Sequence, residues 1–404
     1  MKLSDKRLCT GCYACRSICP VFCISMEQDK EGFFYPAVDE EKCINCKECE
    51  RTCPVIVQSN ERKPLQVYAA KNPNEEIRRR SSSGGIFTLL SEHIINKGGV
   101  AFGVRFSDVW EVMHDYTETM EGLAAFRGSK YVQSKIGSTY TIAKDFLTTG
   151  RNVLFSGTPC QIAGLKAFLQ KNYSNLLTVD FVCHGAPSPL VWEKYLDELV
   201  MCLSTKNKVA ISNIKFRDKR YGWKRYCMMV KFLLSDSNGK TSLLVEPLDK
   251  NVFLKGFLSD LYLRPSCYTC PIKSFKSGSD ITIGDYWGVE YILPKFDDDK
   301  GVSLVMINTE KGKEIYGVLN KIDQSTTYAE AFAGNAAIEK SATLPAKRTV
   351  FFERWLDEPV ISLIDKLTVI SLQIRLKQTI IVLLRRFGIL PMVKSLLKKW
   401  KGST

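Results

Sequence analysis

Between residues 67 and 182 the chain alternates short apolar runs with longer stretches whose apolar residues recur every three or four positions. Val67 to Ala70 reads as a strand. An apolar helical stretch, Ile86 to Ile95, follows the turn Ser81-Ser82-Ser83-Gly84-Gly85 and ends at Gly98-Gly99. Val100 to Phe106, Asn152 to Ser156 and Leu176 to Val182 read as further strands. Ser138 to Leu147 and Gln161 to Leu169 read as helices between them. Strands alternating with helices predict α/β layering. Polar residues Glu61 to Pro64 read as a linker ahead of this body. Beyond Lys347 the apolar stretches Leu367 to Ile374 and Thr379 to Leu384 are interrupted by Arg375, Lys377, Arg385 and Arg386, and Pro391 breaks the pattern. This predicts one or two basic amphipathic helices.

Composition refines the picture in two places. Hydrophobic residues make up 45% and charged residues 25% of 404 residues, ordinary values for a soluble globular protein. The cysteines are unusual: there are fifteen, and nine lie in the first 53 residues. A disulfide framework would need export, and the start has no apolar segment of a secretory signal. No run of 18 apolar residues suggests a spanning helix. The expectation is therefore a cytoplasmic chain whose clustered thiols bind metal. The formal net charge is +14, which favours acidic partners. From Lys347 onward twelve Lys/Arg against four Asp/Glu supply +8 of it. That tail suits docking at the inner face of an anionic membrane, or on an acidic protein. It equally suits a helix packed on the body with solvated lysines. No recognised nucleic-acid-binding motif is present.

The N-terminal thiols follow a strict pattern. Cys9, Cys12, Cys15 and Cys19 are followed by Pro20, and Cys43, Cys46, Cys49 and Cys53 by Pro54, with a period of 34 residues. This is the spacing of two-cluster bacterial ferredoxins, in which the fourth cysteine of each run ligates the other cluster. Cys9, Cys12, Cys15 and Cys53 are thus expected to hold one 4Fe-4S cluster. Cys43, Cys46, Cys49 and Cys19 would hold the second. Zinc motifs usually supply paired Cys-x-x-Cys instead. Cys23 is left over and is assigned to core packing.

In the body, the Ser-Ser-Gly-Gly turn before a helix offers unpaired N–H groups and close backbone approach. With Arg78, Arg79 and Arg80 just before it, it would suit a dinucleotide pyrophosphate; an ordinary serine cap is the alternative. Neither Gly-x-Gly-x-x-Gly nor a Walker A motif occurs. Cys160 lies at a strand-to-helix junction and Cys183 at the end of the next strand. Cys267 and Cys270 form a Cys-x-x-Cys in a loop. In an open α/β sheet such strand ends share one edge, so the four thiols make a plausible cage; a zinc site, or a reactive Cys160, remains open. The histidines are His93, His114 and His184, none with ligand spacing. Asp297-Asp298-Asp299 reads as a solvated loop.

Several runs together resemble one family. They are Ser83-Gly84-Gly85, Lys130-Tyr131-Val132-Gln133-Ser134, Gly157-Thr158-Pro159-Cys160-Gln161, Cys183-His184-Gly185, Cys267 with Cys270, and Ser279 to Gly288. The chain resembles the beta subunits of coenzyme F420 hydrogenases and dehydrogenases, whose relatives include a plant chlorophyll reductase. The resemblance spans roughly residues 65 to 345. It implies a third 4Fe-4S cluster on Cys160, Cys183, Cys267 and Cys270. It also implies FAD, with Ser82, Ser83, Gly84 and Gly85 at the pyrophosphate and Lys130 and Gln133 near the flavin. Asp285 and Trp287 would face the flavin or form a structural turn. Use of the deazaflavin coenzyme does not carry over. Relatives with an N-terminal dicluster domain are often associated with polysaccharide-building genes.

The expected fold class is α+β: a dicluster ferredoxin-like domain (1–58), a flavin-binding α/β body in two halves (63–180 and 181–346), and a helical tail (347–404). The expected function is an iron–sulfur flavoprotein oxidoreductase fed by a ferredoxin-like donor, with an unidentified substrate. An electron-transfer subunit of a larger complex, or a redox-sensing cluster protein without flavin, are the alternatives.

Overall fold

The computed structural model describes residues 4–204, 209–234 and 241–369. At the N-terminus, β1 (Ile24–Gln28) and β2 (Phe34–Val38) form an antiparallel hairpin with Ile24 opposite Val38. Its turn is closed by Asp29, whose Oδ1 accepts from the N–H groups of Glu31 and Phe33, both at 3.0 Å. The two cysteine loops flank this hairpin in sequence. The turn docks on the rest of the chain: Ser188 Oγ donates to the Glu31 carbonyl at 2.6 Å, and Arg348 pairs with the Glu31 carboxylate.

The body is built on one eight-stranded sheet. Its strands are β3 (Gln66–Lys71), β4 (Val100–Phe106), β5 (Val112–Thr117), β6 (Val153–Gly157) and β7 (Leu176–Phe181), then β11 (Ile281–Asp285), β12 (Ser303–Ile307) and β13 (Ile322–Thr326). The order is β13-β3-β12-β11-β7-β6-β4-β5. The centre, β4, β6, β7 and β11, is parallel, and the flanking pairs are antiparallel. Both expected halves of the body thus contribute to a single sheet. The fold is α+β, with this layered body beside the small N-terminal hairpin domain. Strands and helices expected between residues 67 and 182 all form, within a residue or two of the expected ends.

Near-continuous apolar strands are the mark of a sheet covered on both faces. Successive residues of β6 show why: Val153 and Phe155 pack with Tyr140, Ile162 and Phe168, while Leu154 packs with Ile86, Leu90 and Val179. Helices Thr139–Thr148 and Pro159–Leu169 therefore cover one face and helix Ile86–Ile95 the other.

Between β7 and β11 the chain inserts an antiparallel meander, β8 (Val209–Asp218), β9 (Cys227–Leu234) and β10 (Thr241–Pro247). Its apolar face shares a core with helix Pro189–Leu203, helix Val252–Leu258 and the two last described helices, Lys347–Arg354 and Val360–Thr368. Phe351, Trp355, Leu363 and Ile364 are buried there, each contributing roughly 1.5–3 kcal/mol of burial. For residues 347–369 the packing alternative is what the structure shows. Most of the basic tail, residues 370–404, lies outside the described residues. No described helix is long and apolar enough to cross a membrane.

His114, on β5, is buried between two oxygens. Its Nε2 donates to the Ser156 carbonyl (3.1 Å), which leaves Nδ1 to accept from Ser134 Oγ (3.0 Å). Burial pushes its pKa from 6.5 down to about 4. The unfolded chain therefore binds a proton that the folded chain refuses, so stability falls as pH drops through 6.5 and the loss levels off below about 4. The expected cost is about 1 kcal/mol by pH 5.5. Thermal unfolding of wild type between pH 7.5 and 5.5 should show a steeper decline than His114→Asn; equal slopes would contradict the assignment.

Candidate functional site

The carboxyl ends of the parallel strands deliver the chemistry to one edge. After β6 the chain turns through Thr158 into helix Pro159–Leu169. Thr158 and Gln161 form a reciprocal capping box, and Pro159 occupies the first turn. The Gly-Thr-Pro-Cys-Gln run is thus a helix start that holds Cys160 in the first turn. Thr158 Oγ1 lies 3.1 Å from Cys160 Sγ. After β7, Cys183 enters a loop whose residues pair with the segment before Cys267. Arg264 N–H donates to the Ala186 carbonyl at 2.9 Å and Ser188 N–H to the Tyr262 carbonyl at 3.1 Å. That short pairing carries Cys267 back to the strand ends, where Ala186 N–H donates to its sulfur at 3.3 Å. Cys270 N–H donates to Ser341 Oγ at 2.9 Å.

The four thiols feel one another. Burial pushes Cys160 up to about 11 and Cys267 up to about 12, with Cys270 adding charge repulsion to both. Cys183 is raised well above its ordinary value by burial, and Cys267, Cys160 and Cys270 raise it further against the pull of Lys273. Thiolates so placed ionise only with a cationic group among them, which is what an iron–sulfur cluster supplies.

The N-terminal set behaves alike. A small cavity is lined by Cys9, Cys12, Cys15 and Cys53, with Met26 and Val55. Burial raises Cys12 well above its usual value and Cys15 to about 12, and the other members of that set add repulsion. Residues from both cysteine runs thus meet around one space, as the crossing pattern requires. Cys49, from the second run, and Cys19, from the first, are buried in a shared cluster with Cys23, and Cys43 packs against it. Cys23 Sγ lies 3.4 Å from Cys19 Sγ. Cys46 is half-buried in the same loop as Cys43.

Beside Cys160 and Cys183 a cavity of about 740 Å³ opens along the strand ends. Ser82, Ser83, Gly85, Lys130 and Gln133 line it, together with His184, Asp285 and Trp287. Gly84 does not; a Cβ there would sit 2.3 Å from the Ala70 carbonyl oxygen, so this glycine serves close backbone packing. Ser82 Oγ accepts from Ser129 N–H (2.6 Å), and Ser83 Oγ donates to the Val302 carbonyl (2.8 Å). Lys130 Nζ donates to the Ala125 carbonyl (3.0 Å), and loss of hydration pushes its pKa down to about 7. His184 is held by Asp260 and stands edge-on to Phe257.

The arginine run is not part of this cavity. Arg78 is buried, pairing with Asp298 and donating to the Gly301 carbonyl, and Arg80 pairs with Glu76. The pyrophosphate role expected of the run is therefore not met: none of the three lines the cavity, and the charges of Arg78 and Arg80 are committed to carboxylates. Asp297-Asp298-Asp299 is a partly exposed loop, but its carboxylates are engaged by the body. Despite partial burial, Arg78 holds Asp298 well below the usual carboxylate range, Asp299 accepts from Lys224 N–H, and Asp297 pairs with Lys224.

The cavity's principal cation was hidden in the sequence. Arg217 lies in Lys215-Phe216-Arg217-Asp218, a charged run on β8. A register shift between Lys215 and Asp218 lets both Phe216 and Arg217 turn inward. Arg217 Nη1 donates to Asp285 Oδ2 (2.7 Å) and to Tyr131 Oη (3.0 Å), and its guanidinium sits 3.9 Å from the Tyr226 ring centre. Burial opposes its charge, but the Asp285 carboxylate outweighs that and raises its pKa. Asp285 also accepts from Trp223 Nε1 (2.8 Å), and Trp223 stacks on Trp287 at 4.9 Å. Arg217 Nε is buried and has no hydrogen-bond partner among the described residues. An orphaned donor on a cavity-lining cation fits a polar or anionic ligand.

In coenzyme F420 hydrogenase/dehydrogenase, the family model for the N-terminal part of the beta subunit matches residues 67–139. The model for the C-terminal part of the same subunit matches residues 150–329. The chain belongs to this family. A 4Fe-4S dicluster domain matches residues 8–57, so the chain is an iron–sulfur member. Among solved structures, a chain of the xenon-derivatised F420-reducing NiFe hydrogenase complex from Methanosarcina barkeri is 18% identical. That match covers 72% of this chain and 92% of that one, with a TM-score of 0.43. No curated protein matches the chain.

Asp285→Asn would leave the Arg217 charge buried without its anion. Breaking a buried pair costs about 3 kcal/mol, which should lower the thermal unfolding midpoint of a chain this long by roughly 3–5 °C. An unchanged midpoint in anaerobically prepared protein would show that Asp285 is not the compensating charge.

Proposed function

We propose that this chain is an iron–sulfur flavoprotein oxidoreductase that takes electrons from a ferredoxin-like donor and delivers them to a substrate in the strand-end cavity. The observation that carries this reading is the placement of Cys160 and Cys183 on the wall of the same cavity as Ser82, Lys130 and Gln133. Cys160, Cys183, Cys267 and Cys270 would hold a third 4Fe-4S cluster. Ser82, Ser83 and Gly85 would meet the pyrophosphate of FAD, with Lys130, Gln133 and Arg217 supplying donors along the cavity. FAD bound here would convert single-electron supply into two-electron transfer. The protein's residues then have three tasks: to hold thiolates, to neutralise anionic groups with Lys130 and Arg217, and to exclude water with Trp287, Tyr131 and Phe257.

A protein donor is supported by apolar side chains left in solvent around the second cysteine loop. Phe22 is 85% and Ile44 61% exposed, and both flank ligands assigned to the second cluster. The polysaccharide-building context implied by the resemblance indicates where to look for the substrate.

The test is a cofactor inventory on protein purified without oxygen. About twelve irons per chain, three cubanes of four, and one FAD are expected. A Cys160→Ser, Cys183→Ser double variant should lose about four irons while retaining the N-terminal eight. About eight irons without flavin in wild type would overturn the third cluster and the flavin site. Donor-dependent reduction of an acceptor by the purified chain alone would separate an enzyme from a pure carrier subunit.

A further inference from the structure

Three arginines are buried among the described residues. Arg78 has Asp298 and Arg217 has Asp285. Arg264, 1% exposed, differs: its hydrogen bonds go to neutral oxygens and one sulfur. Nε donates to the Cys9 carbonyl (2.7 Å), Nη2 to the Phe34 carbonyl (3.0 Å) and Nη1 to Gln133 Oε1 (3.0 Å). Nη2 also reaches Cys9 Sγ at 3.7 Å, and the guanidinium lies 4.2 Å from the Tyr35 ring centre. A buried cation is costly unless an anion compensates it. The anionic candidate among these contacts is the Cys9 sulfur, as an iron-bound thiolate.

Arg264 stands three residues before Cys267, on the segment that brings that thiol to the strand ends. Gln133, which accepts from it, also donates through Nε2 to the Thr10 carbonyl at 3.1 Å. On the other side, Cys12 rests on the helix that begins at Cys160. Gly164 lies one turn beyond Cys160, and a Cβ there would fall 2.9 Å from Cys12 Cβ and 3.0 Å from its Sγ. The first cysteine loop is therefore wedged between two of the segments that carry the body's thiols, the Cys160 helix and the stretch before Cys267.

We infer that Arg264 is a positioning residue for electron transfer, which pins the Cys9–Cys15 loop to the body and charge-compensates the Cys9 thiolate. This makes Cys9, Cys12, Cys15 and Cys53 the inner end of the dicluster domain. Cys19, Cys43, Cys46 and Cys49 are the outer end, where a low-potential iron–sulfur donor protein gives up one electron. That electron moves inward with no bond made or broken, and the donor leaves oxidised by one electron. A cation hydrogen-bonded to a cluster thiolate favours the reduced, more negative state, so Arg264 makes the inner end the favoured stop. The inference rests on the cluster reading above.

The test is potentiometric titration followed by electron paramagnetic resonance, on anaerobically purified wild type and Arg264→Gln. It is repeated in a Cys160→Ser background, so that the N-terminal signals are recognised. Arg264→Gln should lower the midpoint of one N-terminal cluster and leave the other in place; Arg264→Lys should give a smaller shift. Equal shifts in both, or none, at full N-terminal iron content would overturn the inference. Wild type with fewer than eight irons would instead sink the cluster reading itself. Should Arg264→Gln fail to load iron, Gly164→Ala decides: an altered line shape in one N-terminal signal supports the inner assignment, and alteration of both or neither overturns it.

Discussion

The arrangement of this molecule depends on four parallel strands ending at one edge. Parallel neighbours require crossovers, and each crossover starts where a strand's carboxyl end leaves the sheet. Here β6 and β7 end within three residues of Cys160 and Cys183, and β11 ends on Asp285. The antiparallel additions, β12, β3 and β13, extend the sheet without moving that edge. The meander between β7 and β11 hangs over the same edge and supplies Arg217. Two thiols and an ion pair from distant parts of the sequence therefore share one wall because the sheet has one polarity at its centre.

Charge follows from that geometry. Cys160, Cys183 and Cys267 are drawn into a dry corner, and burial pushes each of these thiols up, so they resist ionisation. The nearby cavity carries the opposite burden: Lys130 on its wall is pushed down to about 7 by burial, as is Lys219 outside it, while Arg217 keeps its charge through Asp285. Lys219 satisfies its donors with the carbonyls of Arg78, Ser83 and Lys300. It braces the Ser-Gly turn from behind. Lys130 makes two carbonyl contacts and lines the cavity, so an anion arriving there would restore its ordinary protonation. In the proposed reading a cluster would take up the thiolates on one side, and an anionic cofactor would meet Lys130 on the other.

Much of this was legible in the sequence, for identifiable reasons. The 34-residue cysteine repeat is a covalent spacing, so it survives any error about the fold. Most helices and strands from 67 to 182 were legible, the strands as short near-continuous apolar runs and the helices by one apolar face, but β5 and helix Glu75–Arg80 were not. The hairpin β1–β2 was not, since only Ile24 of its ten strand residues is fully buried. Arg217 was hidden because a β-bulge breaks the alternation that would have marked Phe216 inward and Arg217 outward. Arg78 misled for the opposite reason. A run of three arginines beside a glycine turn suggests phosphate, but Asp298, 220 residues away, had already claimed the first of them. Long-range ion pairs leave no local signature in sequence. Arg264 is the same case: between Leu263 and Pro265 nothing distinguishes it from a surface residue.

The tail shows how structure can divide a feature that sequence presents as one. From Lys347 the chain carries twelve cations and four anions, but they are unevenly placed. Residues 347–369 hold four of each: Lys347, Arg348, Arg354 and Lys366 against Glu353, Asp357, Glu358 and Asp365. They form two helices whose apolar faces are already spent on the meander core. Arg348 reaches back to Glu31 of the N-terminal hairpin, so this segment also ties the cluster domain to the body. The whole surplus of eight cations falls in residues 370–404. The helices before those last 35 residues serve the fold.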